Sequence, residues 1–342
     1  MNNYPRNHWY VAGFDDELPA GKLLARCYLG EDLVLFRAPD SSPRALTDRC
    51  PHRFAPLSAG TLREGTVQCG YHGLTFDGEG ACVHNPHGPT PKAACVRAYP
   101  MRERDRILWI WMGEPARADD SLIPDLSAVA SAPADASFRG YLPTTCDTML
   151  LVDNILDLSH VDHLHPTTLG SGALSRVQAK VDDLSPSSLK VSWISNGDVA
   201  PPVFDAHLRQ QGQLTDQWTE VTWLAPAVMV LTAGATLQGE ARSEGVDTLN
   251  LHLGTPCRDG FTHYWYWSTR DFAISPEANA HIRPMVEHVF THEDKPMLEA
   301  QQQRIGPHDF LSQKPVLLTI DAASMRVRRK LQALAEAEKQ TS

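Results

Sequence analysis

In the first third of the chain, hydrophobic positions gather in short stretches that are separated by polar and turn-forming residues, a pattern typical of β-strands. The stretches with the clearest strand character are short apolar runs, Asp32–Phe36, Ala45–Thr47 and Ile107–Trp111. Glycines between these stretches mark turns, at positions 60, 65, 73, 78 and 80. We therefore predict a small all-β domain over residues 1–115. Residues 116–140, rich in Ala, Pro, Asp and Ser, are predicted to form a linker.

The remaining residues, 141–342, combine strand-like and helix-like patterns. Five apolar or alternating runs predict strands of one antiparallel sheet: Leu189–Ile194, Thr219–Leu224, Val228–Leu231, Leu249–Leu253 and His263–Ser268. Two stretches rich in Ala, Glu, Gln, Met and Arg predict helices, Ser275–Gln303 and Ala322–Lys339. The predicted fold class is α+β, with an all-β N-terminal domain followed by a domain in which helices flank an antiparallel sheet.

Three histidines lie close together between Asn154 and Pro166. The preceding run, Met149–Leu158, has apolar residues at helical spacing and is predicted to be a helix. His160 and His165 are five residues apart, about 140° around an ideal helix. Both can therefore face one metal ion only if the helix ends between them. The closing proline favours such an end, because the residue before a proline is disfavoured in helical conformation.

His163 would lie on the same face as His160 if the helix continued, so the spacing leaves the second candidate ligand open between His163 and His165. Two histidines and a distant carboxylate would form the facial triad of non-haem Fe(II) oxygenases, whereas a polar helix cap is the purely structural alternative. The residues alone do not select the carboxylate from the acids of the later helical segment and its surroundings, Asp271, Glu287, Glu293 and Asp294.

Two loops of the β domain each offer one thiol and one imidazole. The first contains Cys50-Pro-His52 and the second Cys69-Gly-Tyr-His72. Zinc also binds two Cys and two His, but the Cys-x-His spacing does not fit the usual zinc fingers and ribbons. The paired spacings fit a Rieske [2Fe–2S] centre, in which two cysteines hold one iron and two histidines hold the other. This is the most specific motif in the chain.

Composition limits the classes of binding partner and the cellular location that we expect for this protein. The net charge of −10 argues against nucleic acid or an anionic membrane as the main partner. No run of about 18 apolar residues occurs, so we expect no membrane span. Seven cysteines in a chain of this length favour metal ligands and free thiols over a disulfide framework. The N-terminus lacks the apolar core of a signal peptide, and the expected location is cytoplasmic.

With both constellations present, the chain resembles the Rieske non-haem iron oxygenases. Within them it is similar to the oxygenase components of the group formed by vanillate O-demethylase, dicamba O-demethylase and toluenesulfonate methyl-monooxygenase. The resemblance covers nearly the whole chain. It is carried by Arg6–Ala12, Cys50–Leu57, Cys69–Leu74, Leu108–Trp111, Leu151–His160, Arg270–Phe272, Glu293–Lys295 and Glu299–Gln303.

The resemblance implies a role for each matching residue. It assigns Cys50, His52, Cys69 and His72 to the [2Fe–2S] cluster, and His160, His165 and Asp294 to a mononuclear Fe(II). His163 then becomes an additional histidine, near the iron ligands or in the substrate pocket. Asp157 matches the carboxylate that links the two centres by accepting hydrogen bonds from imidazole N–H groups. Asn154, one turn earlier, shares its face.

The resemblance also implies partners. Family members form a head-to-tail homotrimer that brings one subunit's cluster near a neighbour's iron, which requires a closed heterologous interface. Asp157 is then expected to contact His72 of another subunit. No Gly-x-Gly-x-x-Gly fingerprint and no second cysteine cluster occur. A separate NAD(P)H reductase of flavin and ferredoxin type is therefore expected to deliver the electrons.

The expected function is O2-dependent O-demethylation of a small, vanillate-like methoxy-aromatic, with release of formaldehyde. The alternative within the family is hydroxylation of a methyl group or ring, as in a toluenesulfonate-like substrate. A Rieske electron carrier without oxygenase activity would leave the second constellation without a purpose. Pocket candidates come from the predicted sheet: Trp223, Met229, Leu231, His252, Trp265 and Trp267. Alternating aromatics on a strand often only pack, so a place in the core is the alternative for each of them.

Overall fold

The computed structural model describes residues 4–166, 168–170 and 172–340. The described chain divides into two compact units. The first runs to Asp125 and includes Thr255–Arg258 and the residues from Glu338 onward. The second comprises Leu126–Gly254 and Asp259–Ala337. Two short later segments thus belong to the first unit, which a division into consecutive stretches does not anticipate.

The first unit consists of short antiparallel strands, as predicted. Its strands are β1 (Trp9–Phe14), β2 (Leu24–Tyr28), β3 (Glu31–Arg37), β4 (Pro43–Thr47), β5 (Thr61–Arg63), β6 (Thr66–Gln68), β7 (Thr75–Phe76), β8 (Cys82–His84), β9 (Ala98–Tyr99), β10 (Met101–Arg104) and β11 (Ile107–Trp111). They form three sheets with strand orders β1-β11-β10, β2-β3-β4-β9 and β5-β6-β7-β8.

The two loops with the Cys and His motifs are anchored in one hydrophobic cluster. Phe36 and Phe76, both fully buried, pack there with Cys50 and Cys69. Truncating a fully buried phenylalanine to alanine costs about 3–5 kcal/mol. The aromatic core therefore keeps both loops in place relative to each other.

The remaining strands and the helices belong to the second unit, apart from Thr255, Pro256 and the residues from Glu338 onward. They are α1 (Ser127–Ala130), β12 (Ser137–Tyr141), α2 (Thr148–Leu156), α3 (Val161–Leu164), β13 (Lys180–Ser185), β14 (Ser188–Val199), α4 (Pro202–Asp205), β15 (Leu214–Leu224), β16 (Val228–Leu237), β17 (Val246–Pro256), β18 (Thr262–Arg270), α5 (Pro276–His288), α6 (Lys295–Ile305) and α7 (Ala322–Gln340). The strands form one antiparallel sheet in the order β12-β18-β17-β16-β15-β14-β13. The predicted α+β fold class is confirmed.

The structure extends the predicted elements and corrects one. All five predicted strands occur within longer ones, β14 to β18. Residues 137–140, expected in the linker, instead lie in edge strand β12, which pairs with β18. A polar, half-buried edge strand has a weak hydrophobic pattern, so composition alone made it resemble a linker.

The predicted long helix Ser275–Gln303 is two α-helices joined by a π-helical turn, Val289–Asp294. Ser275 caps its start by accepting a hydrogen bond from the Ala278 amide. Gly306, with φ of 66°, follows its end. A π-turn changes which side chains point inwards and is often found at functional sites. Here it contains Glu293 and Asp294.

Candidate functional site

The Cys50 and Cys69 loops close with the same pair of main-chain hydrogen bonds. Cys50 N donates to Ala55 O, and its carbonyl accepts from Phe54 N. Cys69 N likewise donates to Leu74 O, and its carbonyl accepts from Gly73 N. The positive φ angles of Phe54 (61°) and Gly73 (76°) turn each chain back on its cysteine. The sequence thus builds two matching loops.

The four predicted cluster residues meet at the tips of these loops. Cys50 and Cys69 are 2% and 3% exposed. The rings of His52 and His72 lie further out, with centroids 4.5 Å apart. Burial raises the pKa of the Cys50 thiol, and the adjacent Cys69 thiol raises it further. Two buried thiols that face one another, with two imidazoles nearer solvent, fit a cluster in which two cysteines hold one iron and two histidines hold the other.

The second constellation starts at the end of α2. Asp147 caps the start of this helix by accepting from Met149 N. The helix was predicted over Met149–Leu158 but ends at Leu156, because Asp157 leaves helical geometry with φ of −128° and ψ of 88°. The Asp157 carboxylate accepts hydrogen bonds from the amide and hydroxyl of Ser159. This local capping competes with helix continuation and is not visible in apolar spacing.

The break brings His160 and His165 together with Asp294 of the π-turn. Asp294 Oδ1 lies 3.1 Å from His165 Nε2 and 3.5 Å from His160 Nε2. All three potential ligand atoms lie within 4.8 Å of one another. Donor atoms about 2.0–2.2 Å from one ion and at right angles to each other would be about 3 Å apart. Among the residues that the structure describes, no other group of three His, Cys, Asp or Glu side chains brings its ligand atoms within 4.8 Å of one another.

Both imidazoles are held so that Nε2 faces the carboxylate. His160 Nδ1 donates to the main-chain oxygen of Asp157 at 2.6 Å. His165 Nδ1 donates to Glu293 Oε2 at 2.5 Å. In the neutral form, each Nε2 then carries a lone pair directed towards carboxylate lone pairs. The arrangement therefore requires a positive charge, either protons or a cation, between these atoms.

The pKa values of the site also favour binding of a cation. Burial alone would raise the pKa of Asp294, but hydrogen bonds with His160 and His165 and their charges hold it well below its usual range. Burial likewise opposes protonation of His165, yet Asp294 and Glu293 raise the pKa of this imidazole. The carboxylate is thus ionised and ready to bind a cation.

Three other predicted residues differ in their distance from this group. Asn154 Nδ2 lies 3.3 Å from both His160 Nε2 and Asp294 Oδ1, at the centre of the site. Asp157 touches the group through its main-chain oxygen, while its carboxylate caps the following turn. His163 is exposed and lies outside the cavity described next. The structure therefore brings in His165 and leaves His163 out.

The triad opens into a cavity of about 190 Å³. Its lining comes from α2, the cavity face of the sheet, and the α5 helix with its π-turn. Apolar side chains predominate, among them Phe138, Leu158, Val161, Trp193, Trp218, Val286 and Phe290. A cavity of about 150 Å³ already accommodates benzene. This one fits a single substituted aromatic ring.

Only two of the six predicted pocket residues line this cavity, Leu231 and His252. Trp265 and Trp267 lie on the opposite face of β18 from Tyr264. Trp265 packs on Tyr141, with ring centroids 5.2 Å apart. Trp267 donates from Nε1 to Ser137 Oγ at 2.6 Å.

Trp223 and Met229 are also buried outside the cavity. The sequence did not predict most of the cavity lining. Which face of each strand meets the cavity depends on how the strand pairs with its neighbours, and the sequence of one strand does not show that. For Phe290, the π-turn also decides its direction.

Two family models match the chain. Residues 8–100 match the family model of the Rieske [2Fe-2S] domain, and residues 144–337 match that of the vanillate O-demethylase oxygenase C-terminal domain. The oxygenase component of dicamba O-demethylase from Stenotrophomonas maltophilia is 36% identical, covering 98% of this chain and 99% of that protein. The oxygenase component of chloroacetanilide N-alkylformylase from Rhizorhabdus wittichii is 35% identical, covering 97% and 96%.

A solved structure shows the same fold. The crystal structure of dicamba monooxygenase bound to 3,6-dichlorosalicylic acid superposes with a TM-score of 0.89 at 35% identity, covering 98% of each chain. A Rieske domain followed by a domain with a two-histidine, one-carboxylate group defines the class of Rieske non-haem iron oxygenases. Within this class, the chain belongs to the vanillate O-demethylase oxygenase family. It is an oxygenase whose cofactors are a Rieske [2Fe–2S] cluster and a mononuclear non-haem iron.

Among the helices of residues 4–340, apart from positions 167 and 171, none combines the length and apolar character needed to cross a membrane.

Proposed function

We propose that this chain is the terminal oxygenase of a multicomponent system and that it O-demethylates a small methoxy-aromatic compound. The observation that carries the proposal is the triad of His160, His165 and Asp294 at the wall of an apolar cavity sized for one aromatic ring. A site for redox chemistry beside a cavity for an aromatic molecule is what oxygenation of that molecule requires.

The residues fit the two cofactors. His160, His165 and Asp294 would hold the mononuclear iron, which a cluster of two imidazoles and an ionised carboxylate suits. The Rieske [2Fe–2S] cluster would be held by Cys50, His52, Cys69 and His72. When bound, the iron supplies O2-dependent hydroxylation of a nearby C–H bond, and the cluster supplies electrons one at a time.

The protein itself contributes orientation and exclusion of water. The Asp157 carbonyl and the Glu293 carboxylate hold the two imidazoles with Nε2 facing inwards. Asn154 places its amide 3.3 Å from both His160 Nε2 and Asp294 Oδ1. The apolar lining holds an aromatic ring by burial of its surface, and so directs a substituent of that ring towards the triad.

Demethylation follows from where oxygen is inserted. A methoxy carbon that gains a hydroxyl becomes the carbon of a hemiacetal. The bond between this carbon and the oxygen attached to the aromatic ring then breaks, which gives a phenol and formaldehyde. One O2, two electrons and two protons thus convert the methoxy-aromatic into phenol, formaldehyde and one water. The electrons come from a separate reductase, as the names of the relatives, both oxygenase components, indicate.

We further propose a head-to-tail homotrimer in which Asp157 contacts His72 of a neighbouring subunit. The Asp157 carboxylate accepts from Ser159 with Oδ1, and its other oxygen has no protein donor in the described chain. That oxygen is therefore available to a donor from outside. Sedimentation of the purified holoenzyme tests the trimer, and a monomeric active enzyme would refute it.

The test of the activity is formaldehyde release. The holoenzyme is supplied with NADH and a vanillate-type reductase, together with methoxyphenols, methoxybenzoates and methoxybenzamides. We expect formaldehyde in proportion to NADH consumed. His160→Ala should abolish turnover. His163→Ala is the matched control, because it removes an exposed histidine of the same segment that lies outside the cavity.

The products separate the alternatives. Formation of a benzylic alcohol from methyl-substituted aromatics, without formaldehyde from any methoxy compound, would contradict demethylation and establish the methyl-hydroxylase alternative. Full turnover by His160→Ala would contradict the assignment of the iron ligands.

A further inference from the structure

Three hydrogen-bonded polar side chains lie side by side in the largely apolar wall of the cavity. Thr248 and Asn250 are two residues apart on one face of β17, and Ser268 is on β18. All three line the cavity and are only half-buried, so a molecule in the cavity can reach them. None of them belongs to the triad, and none was predicted from the sequence.

The hydrogen bonds among these side chains have a fixed direction. The Thr248 hydroxyl donates its one proton to the main-chain oxygen of Ala233 at 2.9 Å, so towards Asn250 it can only accept. Asn250 must therefore face Thr248 with Nδ2, at 3.2 Å, and its Oδ1 accepts from the Ser268 hydroxyl. The main-chain acceptor at one end thus decides how the amide of Asn250 is oriented.

This arrangement leaves one donor and one acceptor unused. The Asn250 amide has two N–H groups, of which Thr248 accepts from one. No residue of the described chain accepts from the other. The Ser268 proton is donated to Asn250, so towards the cavity its Oγ can only accept. A hydroxyl group satisfies both, because it accepts and donates at once, whereas an ether oxygen only accepts.

The distance from the triad suits the two ends of one aromatic ring. The π-turn that contains Asp294 contacts the sheet at His252, whose ring packs edge-on against Phe290 with centroids 5.6 Å apart. His252 Nδ1 accepts from the Tyr264 hydroxyl at 2.7 Å, because this buried hydroxyl has no other acceptor in the described chain. Asn250 lies two residues away on the same face of β17, a step of about 7 Å. A ring that presents a methoxy group to the triad can therefore reach Asn250 with its other side.

We propose that Asn250 and Ser268 recognise a free hydroxyl on the aromatic ring of the substrate, on the side away from the methoxy group that reacts. Asn250 donates from Nδ2 to the hydroxyl oxygen, the hydroxyl donates to Ser268 Oγ, and Thr248 is a positioning residue for the amide. The proposal deepens the proposed function and rests on it for the identity of the site. It concerns this hydroxyl alone. Arg270 also lines the cavity, with a buried Nε that has no partner in the described chain, so an acidic group elsewhere on the ring is compatible with it.

The first test compares ligands that differ only in a hydroxyl and a methyl group. Each methoxyphenol isomer is paired with the methoxytoluene of the same substitution, as the parent compounds and again with a carboxylate added to both rings. Binding to the holoenzyme is followed by calorimetry, or by the fluorescence of Trp193 and Trp218, which line the cavity.

A cavity without hydrogen-bond partners would favour the methyl compounds, because burial of an unpaired hydroxyl is unfavourable. We expect the hydroxyl compound to bind at least about threefold more tightly in one or more of the pairs. Preference for the methyl compound in every pair, or binding by none of these compounds, would overturn the proposal.

The second test removes the donor. Asn250→Leu keeps the approximate size of the side chain and loses its N–H groups. For the pair with the strongest hydroxyl preference, the ratio of the two affinities should fall at least about tenfold, because the buried hydroxyl loses its partner. Equal weakening of both ligands, with an unchanged ratio, would indicate a purely structural role and refute the assignment.

The positioning role of Thr248 has its own variant. Thr248→Val leaves the Asn250 amide free to turn, so the same ratio should fall by about two- to fivefold. Thr232→Val is the matched control, because Thr232 lies on the opposite face of β16 from the lining residues Leu231 and Ala233. A ratio in Thr248→Val that equals the ratio in Thr232→Val would refute the positioning role.

The formaldehyde assay separates this proposal from the proposed function. A hydroxyl preference in binding without formaldehyde from any methoxy compound would leave the recognition proposal intact and refute demethylation. Formaldehyde from methoxytoluenes as fast as from methoxyphenols, with no hydroxyl preference in binding, would refute recognition and leave demethylation intact. The wild-type ligand comparison remains decisive if Asn250→Leu does not fold.

Discussion

The contact of Glu293 with His165 yields a quantitative prediction about metal affinity. Glu293 Oε2 accepts from His165 Nδ1 at 2.5 Å, and the imidazole is only 1% exposed. The carboxylate holds the ring with Nε2 facing Asp294 and makes that nitrogen a better ligand. Outer partners of metal-binding histidines typically contribute about 10–100-fold in metal affinity. This corresponds to about 1.4–2.8 kcal/mol.

The two substitutions of Glu293 should fall at opposite ends of that range. Glu293→Gln keeps an oxygen acceptor but loses the charge, so we expect about a tenfold loss of Fe(II) affinity. Glu293→Ala leaves the buried Nδ1–H without a partner, and the expected loss approaches about 100-fold. Neither change touches the first unit, so the visible spectrum of the Rieske cluster should remain unchanged.

Equilibrium dialysis against Fe(II), and against Co(II) as a redox-stable substitute, measures the effect directly. Glu287→Gln is the matched control, because Glu287 lies near the end of α5, just before the π-turn that contains Glu293, but pairs with Arg283 at 2.7 Å. Wild-type metal affinity in both Glu293 variants would refute the reasoning. A loss of affinity equal to that of Glu287→Gln would also refute it, because the effect would then be one of general charge.

Two further predictions concern the cluster and the pH dependence of stability. Cys69→Ser should abolish the visible absorbance of the Rieske cluster, whereas Cys82→Ser, outside the two loops, should retain it; equal spectra would contradict the cluster assignment. Burial raises the pKa of Asp247 to about 6, above the roughly 3.9 of an unfolded chain. The folded state thus binds this proton more tightly, so the stability contributed by protonation is lost as pH rises through about 6. Asp247→Asn should therefore raise the thermal midpoint at pH 8 by about 2–4 °C, a gain of about 1 kcal/mol after allowing for partial exposure, and by less at pH 5. A shift that is the same at both pH values would contradict this assignment.

The parts of the site that could be predicted are those whose chemistry is local in sequence. Cys50 and His52 lie two residues apart, and Cys69 and His72 three, so residue type and spacing alone suggest their cluster. The long strands were equally accessible, since burial on one face imposes alternation over many residues.

The rest depends on contacts between distant segments. Asp294 joins His165 across 129 residues, and only the family resemblance selected it over Glu293. In the structure both acids contact the same imidazole. The π-turn directs Asp294 to Nε2 of His165 and Glu293 to Nδ1. No periodicity of an ordinary helix contains that information. The error over Trp265 has the same origin, because strand alternation shows which residues share a face but not which face meets the cavity.

A common rule connects the three histidines around the cavity. In each of them Nδ1 is engaged by the protein and Nε2 faces inwards, but the direction of the outer hydrogen bond differs. His160 and His165 donate from Nδ1, to a main-chain carbonyl and to Glu293, so each neutral ring presents a lone pair at Nε2 that suits a metal. His252 accepts at Nδ1 from Tyr264, so its Nε2 carries a proton and suits an acceptor oxygen. The outer partner thus decides whether Nε2 of each neutral imidazole offers a lone pair or a proton, and loss of a side-chain partner, Glu293 or Tyr264, should release that choice while leaving the ring in place.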